Sequence, residues 1–410
     1  MTQQLPLIEP QWAHAHHAAF VSALPVSEEQ IGLDQAVGRV LAHPVTSLTD
    51  LPRDVTSAMD GYAVSTPSGP WPIVGSSLAG HPMSGALEPG TCAVIATGAV
   101  VPAGTFGVVR HEFTDVSETD SRSLVTLNSD NRGEPFANSH VRPAGAEALA
   151  GETLIAAGTL LTPAHVGLAA VSGNDTVWVR RPVTAAILIM GDEVSHAGLP
   201  QVGQIRDAFA PQFPQYASML GLTVVETRFI ADTLESAVDA IASADVDVVI
   251  TTGGTAAGPA DFLHRALAQL HGQLIIDMIA MRPGHPNLLA RLGENKFLVG
   301  LPGNPLSASL GGMLTLTRPL VRGLLGRPNI ALGTVRTSQD VSAPAADSRL
   351  VPYTLSQTDQ GPVATENKWL NSAMLRGFAT AHGVMVVPPG GAIAGQEVVD
   401  LPLAWPTPDL

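Results

Sequence analysis

A single cysteine, Cys92, stands among 410 residues. That excludes an intrachain disulfide and a cysteine-rich metal centre, and it fits a reducing compartment. Charge is sparse as well: 14% of residues are Asp, Glu, Lys or Arg, where about a quarter is usual. Little of it is basic. Lys and Arg number 21 against 36 Asp and Glu, for a formal net charge of −15. Such a balance excludes nucleic acid, because nothing offsets phosphate repulsion along an extended surface. An anionic small ligand needs a local cluster of basic side chains. Long hydrophobic runs are missing too. The longest clean one, Ala185 to Met190, falls far short of a membrane span. No basic stretch followed by an apolar core opens the chain, so a soluble, cytoplasmic protein with no membrane partner is expected. No repeat or low-complexity tract stands out.

What is present points to several small domains. Hydrophobic residues make up 45% of the chain, enough for real cores, and the 40 Gly and 33 Pro imply many turns. The length suggests two to four domains. A helix is expected over residues 11–24 and a second over about 32–41. His14 and His17 share a face of the first, but no carboxylate or cysteine completes a metal set there. Residues 65–150, rich in turns and short apolar bursts, read as an all-β domain. Helical pattern returns near 151–176. From Pro182 strands alternate with helices: strands at Thr184–Met190, Thr223–Ile230, Val246–Thr252, Gly272–Ile279 and Lys296–Val299. The helices fall near Phe209–Leu220, Leu234–Ser243, Asp261–Leu270 and Pro305–Val321. Alternation of this kind predicts an α/β, doubly wound parallel sheet covered on both faces, with ligands at the carboxyl ends of its strands. A C-terminal β domain begins near 331.

The organising stretch is Asp247 to Asp261, D-V-V-I-T-T-G-G-T-A-A-G-P-A-D. A buried strand, a loop carrying Gly253, Gly254 and Gly258, and a helix opening at Asp261 form a geometry that aims backbone N–H groups at an anion. It is no Walker A loop, since Lys-Ser/Thr does not follow. A second such end is Pro302-Gly303-Asn304-Pro305-Leu306-Ser307, where Asn304 suits the N-cap and Pro305 the first helical position. Glu193, Asp232 and Asp261 all fall at the same strand edge. Singly, Asp232 and Asp261 read as helix caps; together, the three acids beside anion-binding loops make sense around a divalent cation such as Mg²⁺. The turn of Met281-Arg282-Pro283-Gly284-His285-Pro286 supplies positive charge, with Arg282 suited to an oxyanion. Asp60 sits on a turn and Thr97 ends a strand.

In combination these stretches resemble the MoeA/gephyrin E-domain family, the molybdopterin molybdenumtransferases. The anchors are Val37–Ala42, Ser57-Ala58-Met59-Asp60-Gly61-Tyr62-Ala63, Thr97–Gly104, Gly191-Asp192-Glu193 and Gly253-Gly254…Gly258-Pro259-Ala260-Asp261. Arg282-Pro283-Gly284-His285-Pro286 and Leu301-Pro302-Gly303-Asn304-Pro305 complete them. The resemblance implies a four-domain subunit. Residues 1–30 form an N-terminal helix, 31–46 with 152–180 a linker domain, and 47–151 an inserted β domain. Residues 181–330 form the α/β, MogA-like molybdopterin-binding domain, and 331–410 a C-terminal β-barrel-like domain. It also implies a homodimer that inserts molybdate into adenylylated molybdopterin and releases AMP, with Mg²⁺. The adenylyltransferase of the pathway and acceptor molybdoenzymes are implied partners.

Carried over residue by residue, Asp60, Thr97, Glu193, Asp232, Asp261 and Arg282 line the cleft. Glu193 and Asp261 hold the cation. Gly253, Gly254, Gly258, Pro302, Gly303, Asn304 and Ser307 bind the substrate's oxyanions, and Arg349 and Ser372 contact molybdate or pterin. The chain departs from the family pattern at Met278, His285, Ala208, Ala256, Glu147 and Thr105-Phe106-Gly107. The implied pocket has thereby lost positive and hydrogen-bonding groups, with Arg206 a candidate compensator. A non-catalytic molybdopterin-binding or scaffold paralogue is the alternative, and a nucleotidyl transferase a third reading.

Overall fold

The structure, a computed structural model, describes residues 5–119, 122–255 and 262–406. The chain divides into two compact units: residues up to Glu29 together with Val179 onward, and Gln30–Trp178.

The first unit is built on a seven-stranded sheet. Its order is Leu7–Ile8, Gln273–Asp277, Leu288–Arg291, Phe297–Leu301, Val248–Thr252, Val183–Met190 and Leu222–Ile230. The last four of these are parallel. The inner three are almost wholly buried because both faces are covered, while the edge strand Leu222–Ile230 carries Thr, Glu and Arg and is mostly half-exposed. Ala186, Leu188 and Met190 join one core with Ala237, Ile241, Leu263 and Leu267 of the helices Leu234–Ser243 and Phe262–Gln269. The alternate residues Ile187 and Ile189 are equally buried. By the strand period they face the other side, where helix Phe209–Leu220 and the helical run from Pro305 lie. The expected α/β architecture is therefore present, extended by an antiparallel edge: Leu288–Arg291 pairs antiparallel with both Gln273–Asp277 and Phe297–Leu301. That strand is four residues of Leu-Leu-Ala-Arg between turn-forming neighbours, too short to announce itself by periodicity.

Helix Leu234–Ser243 buries Ala237, Ala240 and Ile241, the i, i+3, i+4 stripe of an amphipathic helix. Thr233 caps it by accepting from Ser236 N–H. Asp232 is thus not the cap. The helix expected over 305–321 runs on to Leu324, and its middle, Ala308–Thr317, winds as a π-helix. Gly311 and Gly312 lie in this stretch. A Cβ at Gly311 would stand 3.1 Å from the Gly284 Cα, so two backbones meet there.

Asp247 precedes the third parallel strand and is buried. Its carboxylate takes both guanidinium arms of Arg181 and the N–H and hydroxyl of Thr184. Burial pushes this carboxyl up, and the bonds from Arg181 and Thr184 outweigh that, leaving it below the usual range. Asp247→Ala leaves those donors unpaired and is expected to cost about 3 kcal/mol in chemical unfolding at neutral pH. The wild-type contribution is present above the unfolded carboxyl pKa, ~3.9, and is lost as pH falls towards the depressed folded value.

A second, six-stranded sheet closes the C-terminal part. It comprises Ser348–Thr358, Gly361–Glu366, Gly383–Val387, Glu397–Leu401, Gly333–Arg336 and, from the α/β part, Met281–Arg282. The last of these lies parallel to Ser348–Thr358 and puts Arg282 opposite Arg349.

The second unit holds a six-stranded sheet in the order Gly107–Arg110, Gly61–Val64, Cys92–Ile95, Trp71–Ser77, Arg122–Leu127 and Thr114–Thr119. Buried Cys92 is pushed up to about 12 by desolvation, which leaves it an inert thiol. No helix spans 32–41. Glu28–Gly32 is a strand and Leu33–Gln35 a single 3₁₀ turn. Gly38 then turns at φ +82°, and Gly38 and Leu41 donate to Leu161 and Thr159 carbonyls. Pairing with the distant 159–161 segment wins over helical propensity there.

Candidate active site

The parallel strands have a topological switch point. The chain leaves Val183–Met190 for Leu222–Ile230 on one side and returns to Val248–Thr252 on the other. The carboxyl ends at such a point frame a crevice. Here they are Gly191-Asp192-Glu193 and Gly253-Gly254, and an ideal Cβ on Gly253 would lie 3.6 Å from Met190 Cβ. Gly191, Gly253 and Gly254 all have positive φ, at +133°, +87° and +69°, which turns the chain sharply off the strand ends.

Asp232 stands on the neighbouring strand end. Burial pushes its carboxyl up and the charge of Asp192 pushes it further, with a smaller push from Glu193; N–H bonds from Asp192 and Gly191 offset only part. Among the described residues no three His, Cys, Asp or Glu side chains converge as metal ligands. Mg²⁺ needs only one or two protein carboxylates, completing its shell with water and phosphate oxygens. A crowded acidic edge whose carboxylates repel one another fits that ion. Asp261, Gly258 and Ala256 lie outside the described residues.

One strand further across the sheet, Leu301 passes into Pro302-Gly303-Asn304 at the same carboxyl edge, Thr252 being its register partner. Two strand spacings separate this turn from Met190, or about 10 Å. A cleft of ≈ 470 Å³ opens beside it, lined among others by Arg282, His285, Pro302, Asn304, Ser307, Arg349 and Ser372. Gly284, at φ +106°, brings its loop against the π-helical stretch. Buried Asn287 holds it there by donating to the Gly284 carbonyl.

The two arginines are register partners on adjacent strands, and each is held by an acid. Arg282 lies 3.3 Å from Asp347 and is 48% exposed. Arg349 donates to Glu366 and, at 3.1 Å, to the Ser342 carbonyl. Charge in the cleft is therefore oriented and partly offset, with the outer N–H faces left for a ligand.

The turn after Leu301 is partly closed by a neighbouring loop. Two of the N–H groups of the helix tip at Asn304-Pro305 are already taken: Leu306 and Ser307 N–H both donate to the Ser372 carbonyl, at 3.0 and 3.2 Å. Asn304 occupies the N-cap position with no side-chain cap bond. A loop remote in sequence satisfies the donors that a lone helix end leaves open. The cleft also carries the two guanidinium groups and the polar side chains of Asn304, Ser307 and Ser372.

Asp60 and Thr97 lie in the second unit and meet there: Thr97 N–H donates to Asp60 Oδ1 at 2.7 Å. That bond holds the Asp60 carboxyl below the usual carboxylate range, so it is ionised at neutral pH. Arg206 donates to the Ser195 carbonyl, and Asp207 caps the helix that follows, accepting from Phe209 N–H at 2.8 Å. Asp347, Glu366 and Asn287 were not singled out from the sequence. Their signal is pairing across strands, which no local motif carries.

Residues 11–173 match the family described as MoeA N-terminal region (domain I and II), and residues 186–323 one described as probable molybdopterin binding domain. The molybdopterin molybdenumtransferase of Haemophilus influenzae is 32% identical over 311 residues, covering 74% of this chain and 74% of that protein. The chain belongs to the molybdopterin molybdenumtransferase family. The family's enzymes serve molybdenum-cofactor biosynthesis, and the enzyme of that name from Nostoc sp. is 33% identical over 73% of this chain and 70% of its own. The crystal structure of the molybdopterin biosynthesis MoeA protein from Pyrococcus horikoshii has the same fold. Its TM-score is 0.78 at 24% identity, over 96% of this chain and 99% of that one. Among the described residues no helix is long and apolar enough to cross a membrane.

Proposed function

We propose that this molybdopterin molybdenumtransferase inserts molybdate into adenylylated molybdopterin and releases AMP. The observation that carries this reading is the in-register pair Arg282 and Arg349 in a cleft at the carboxyl edge of the sheet, beside the acidic switch point. A tetrahedral dianion suits two guanidinium forks fixed by Asp347 and Glu366. The chain's net charge of −15 repels two anionic substrates. Bringing them together is therefore mainly a matter of local charge and orientation. Glu193, with Asp232 beside it, would hold Mg²⁺ at the substrate's phosphates, together with Asp261 as the family resemblance implies. The ion's chemistry there is neutralisation of the diphosphate charge. In the second unit, Asp60, ionised and oriented by Thr97, would offer a hydrogen-bond acceptor to the substrate. A homodimeric, cytoplasmic enzyme that takes its substrate from the adenylyltransferase and passes product to acceptor molybdoenzymes accords with this reading. So does the domain scheme of 1–30, 31–46 with 152–180, 47–151, 181–330 and 331–410.

Mixing adenylylated molybdopterin and molybdate with the purified protein should release AMP in step with cofactor formed. Chelation with EDTA should stop it and Mg²⁺ restore it. Glu193→Gln is expected to raise the Mg²⁺ concentration needed for half-maximal rate by about tenfold, the loss of one charged ligand. Binding of both substrates with no AMP release would favour the non-catalytic molybdopterin-binding or scaffold reading.

A further inference from the structure

The second unit holds a buried carboxylate away from the arginine cleft. Glu134, 6% exposed, accepts at Oε1 from Arg110 Nε at 2.9 Å and His140 Nε2 at 2.7 Å, with Arg110 Nη2 2.8 Å away as an ion pair. At Oε2 it accepts from Arg110 N–H at 3.1 Å. Three hydrogen bonds and an ion pair converge on one carboxylate. Its own backbone is clamped by Asn131, whose side chain accepts from Glu134 N–H and donates to Glu134 O.

The two residues it grips flank the loop carrying Asp60. On one side, His140 O accepts from Ala58 N–H at 2.7 Å, and Val141 pairs with Ser57. On the other, Arg110 is the register partner of Gly61, and His111 N–H donates to Asp60 O at 3.3 Å. Gly61 has no slack: a Cβ there would lie 1.9 Å from Val109 O. His140 is held at φ +56°, a left-handed conformation that a non-glycine residue keeps only where its surroundings over-determine it. Ser57 stiffens the loop from inside, its hydroxyl donating to Met59 O at 2.7 Å.

We infer that Glu134 is a positioning residue for Asp60: by binding Arg110 and His140 together it fixes both ends of the Ala58–Asp60 loop and so the place of the Asp60 carboxylate. The inference rests on the reading of Asp60 as part of the active site. Its structural half, that Glu134 orders the loop, stands apart from that reading. Glu134 itself touches no substrate. Its removal therefore acts through geometry, and small misplacements of a reacting group cost much in turnover and little in ground-state binding.

The test compares Glu134→Gln with Asp60→Asn in the full-length protein. It measures AMP release from adenylylated molybdopterin and molybdate, together with amide hydrogen exchange at Ala58 and Thr97. Glu134→Gln is expected to lower kcat by about 10- to 100-fold with KM for molybdate changed by less than about twofold. Exchange at Ala58 and Thr97 should speed up while that of the α/β sheet stays the same. Unchanged exchange at both amides overturns the inference, whatever the activity. Unchanged kcat beside an inactive Asp60→Asn overturns it too. An Asp60→Asn variant with full turnover removes Asp60 from the active site, and the exchange data then decide the role of Glu134 in ordering the loop. Should Glu134→Gln fail to fold, His140→Gln, at a side chain 20% exposed, carries the same test. It removes one of the two grips, and a rise in Ala58 exchange is required.

Discussion

Arg349→Met should lower kcat/KM for molybdate by about 10²- to 10³-fold, the usual consequence of removing one preorganised donor from where anionic charge must be stabilised. The arginine is not a free surface cation. It lies on Ser348–Thr358, opposite Arg282, and Glu366 and the Ser342 carbonyl hold its guanidinium. Holding the fork in advance removes the entropy cost of ordering a long side chain when the oxyanion arrives. Lys at this position keeps the charge and loses the fork, so Arg349→Lys should recover only part of the rate. Equilibrium binding of molybdate by calorimetry, beside steady-state kinetics, separates lost affinity from lost turnover. Wild-type rates in Arg349→Met would remove this cleft from the reaction.

The second large effect is expected at a backbone contact and not at a charged side chain. Gly311→Ala should destabilise the first unit by about 2–3 kcal/mol, the range of overpacking in a filled core, and reduce molybdate affinity as well. The new methyl would meet Asn287 Nδ2 at 2.3 Å and the Gly284 backbone at 3.1 Å. Asn287 could swing away, but it is fully buried and its amide holds Gly284. The backbone contact has no such escape. The strain passes into the 282–286 loop, which carries Arg282 and His285 along one wall of the cleft. Chemical unfolding and molybdate titration of the same variant check both halves. A stable variant with weakened binding would show that the loop moves without cost to the core.

The strand–helix rhythm after Pro182 was legible because fully buried strands read as short apolar runs and their helices carry an apolar stripe at helical spacing. Thr184–Met190 and Leu234–Ser243 were expected in the sequence, and they stand at Val183–Met190 and Leu234–Ser243. The switch-point acids and the arginine turn were visible for a similar reason: charge and glycine placed just after an apolar run mark the edge of a sheet. The expected helix over 32–41 failed because Gly38 and pairing with residues 159–161 outweigh local preference.

Residue chemistry and spacing thus set the fold class, the family and the acids and arginine at the carboxyl edge of the sheet, since these depend on local pattern. Folding in three dimensions settled which charges are held and which donors are already taken. Ser372 closes the helix tip, Glu366 and Asp347 orient the arginines, and Glu134 ties Arg110 to His140. Each of these links residues far apart in the chain. Hydrogen-bond satisfaction and counter-charge are properties of neighbours in space, so no window of sequence contains them.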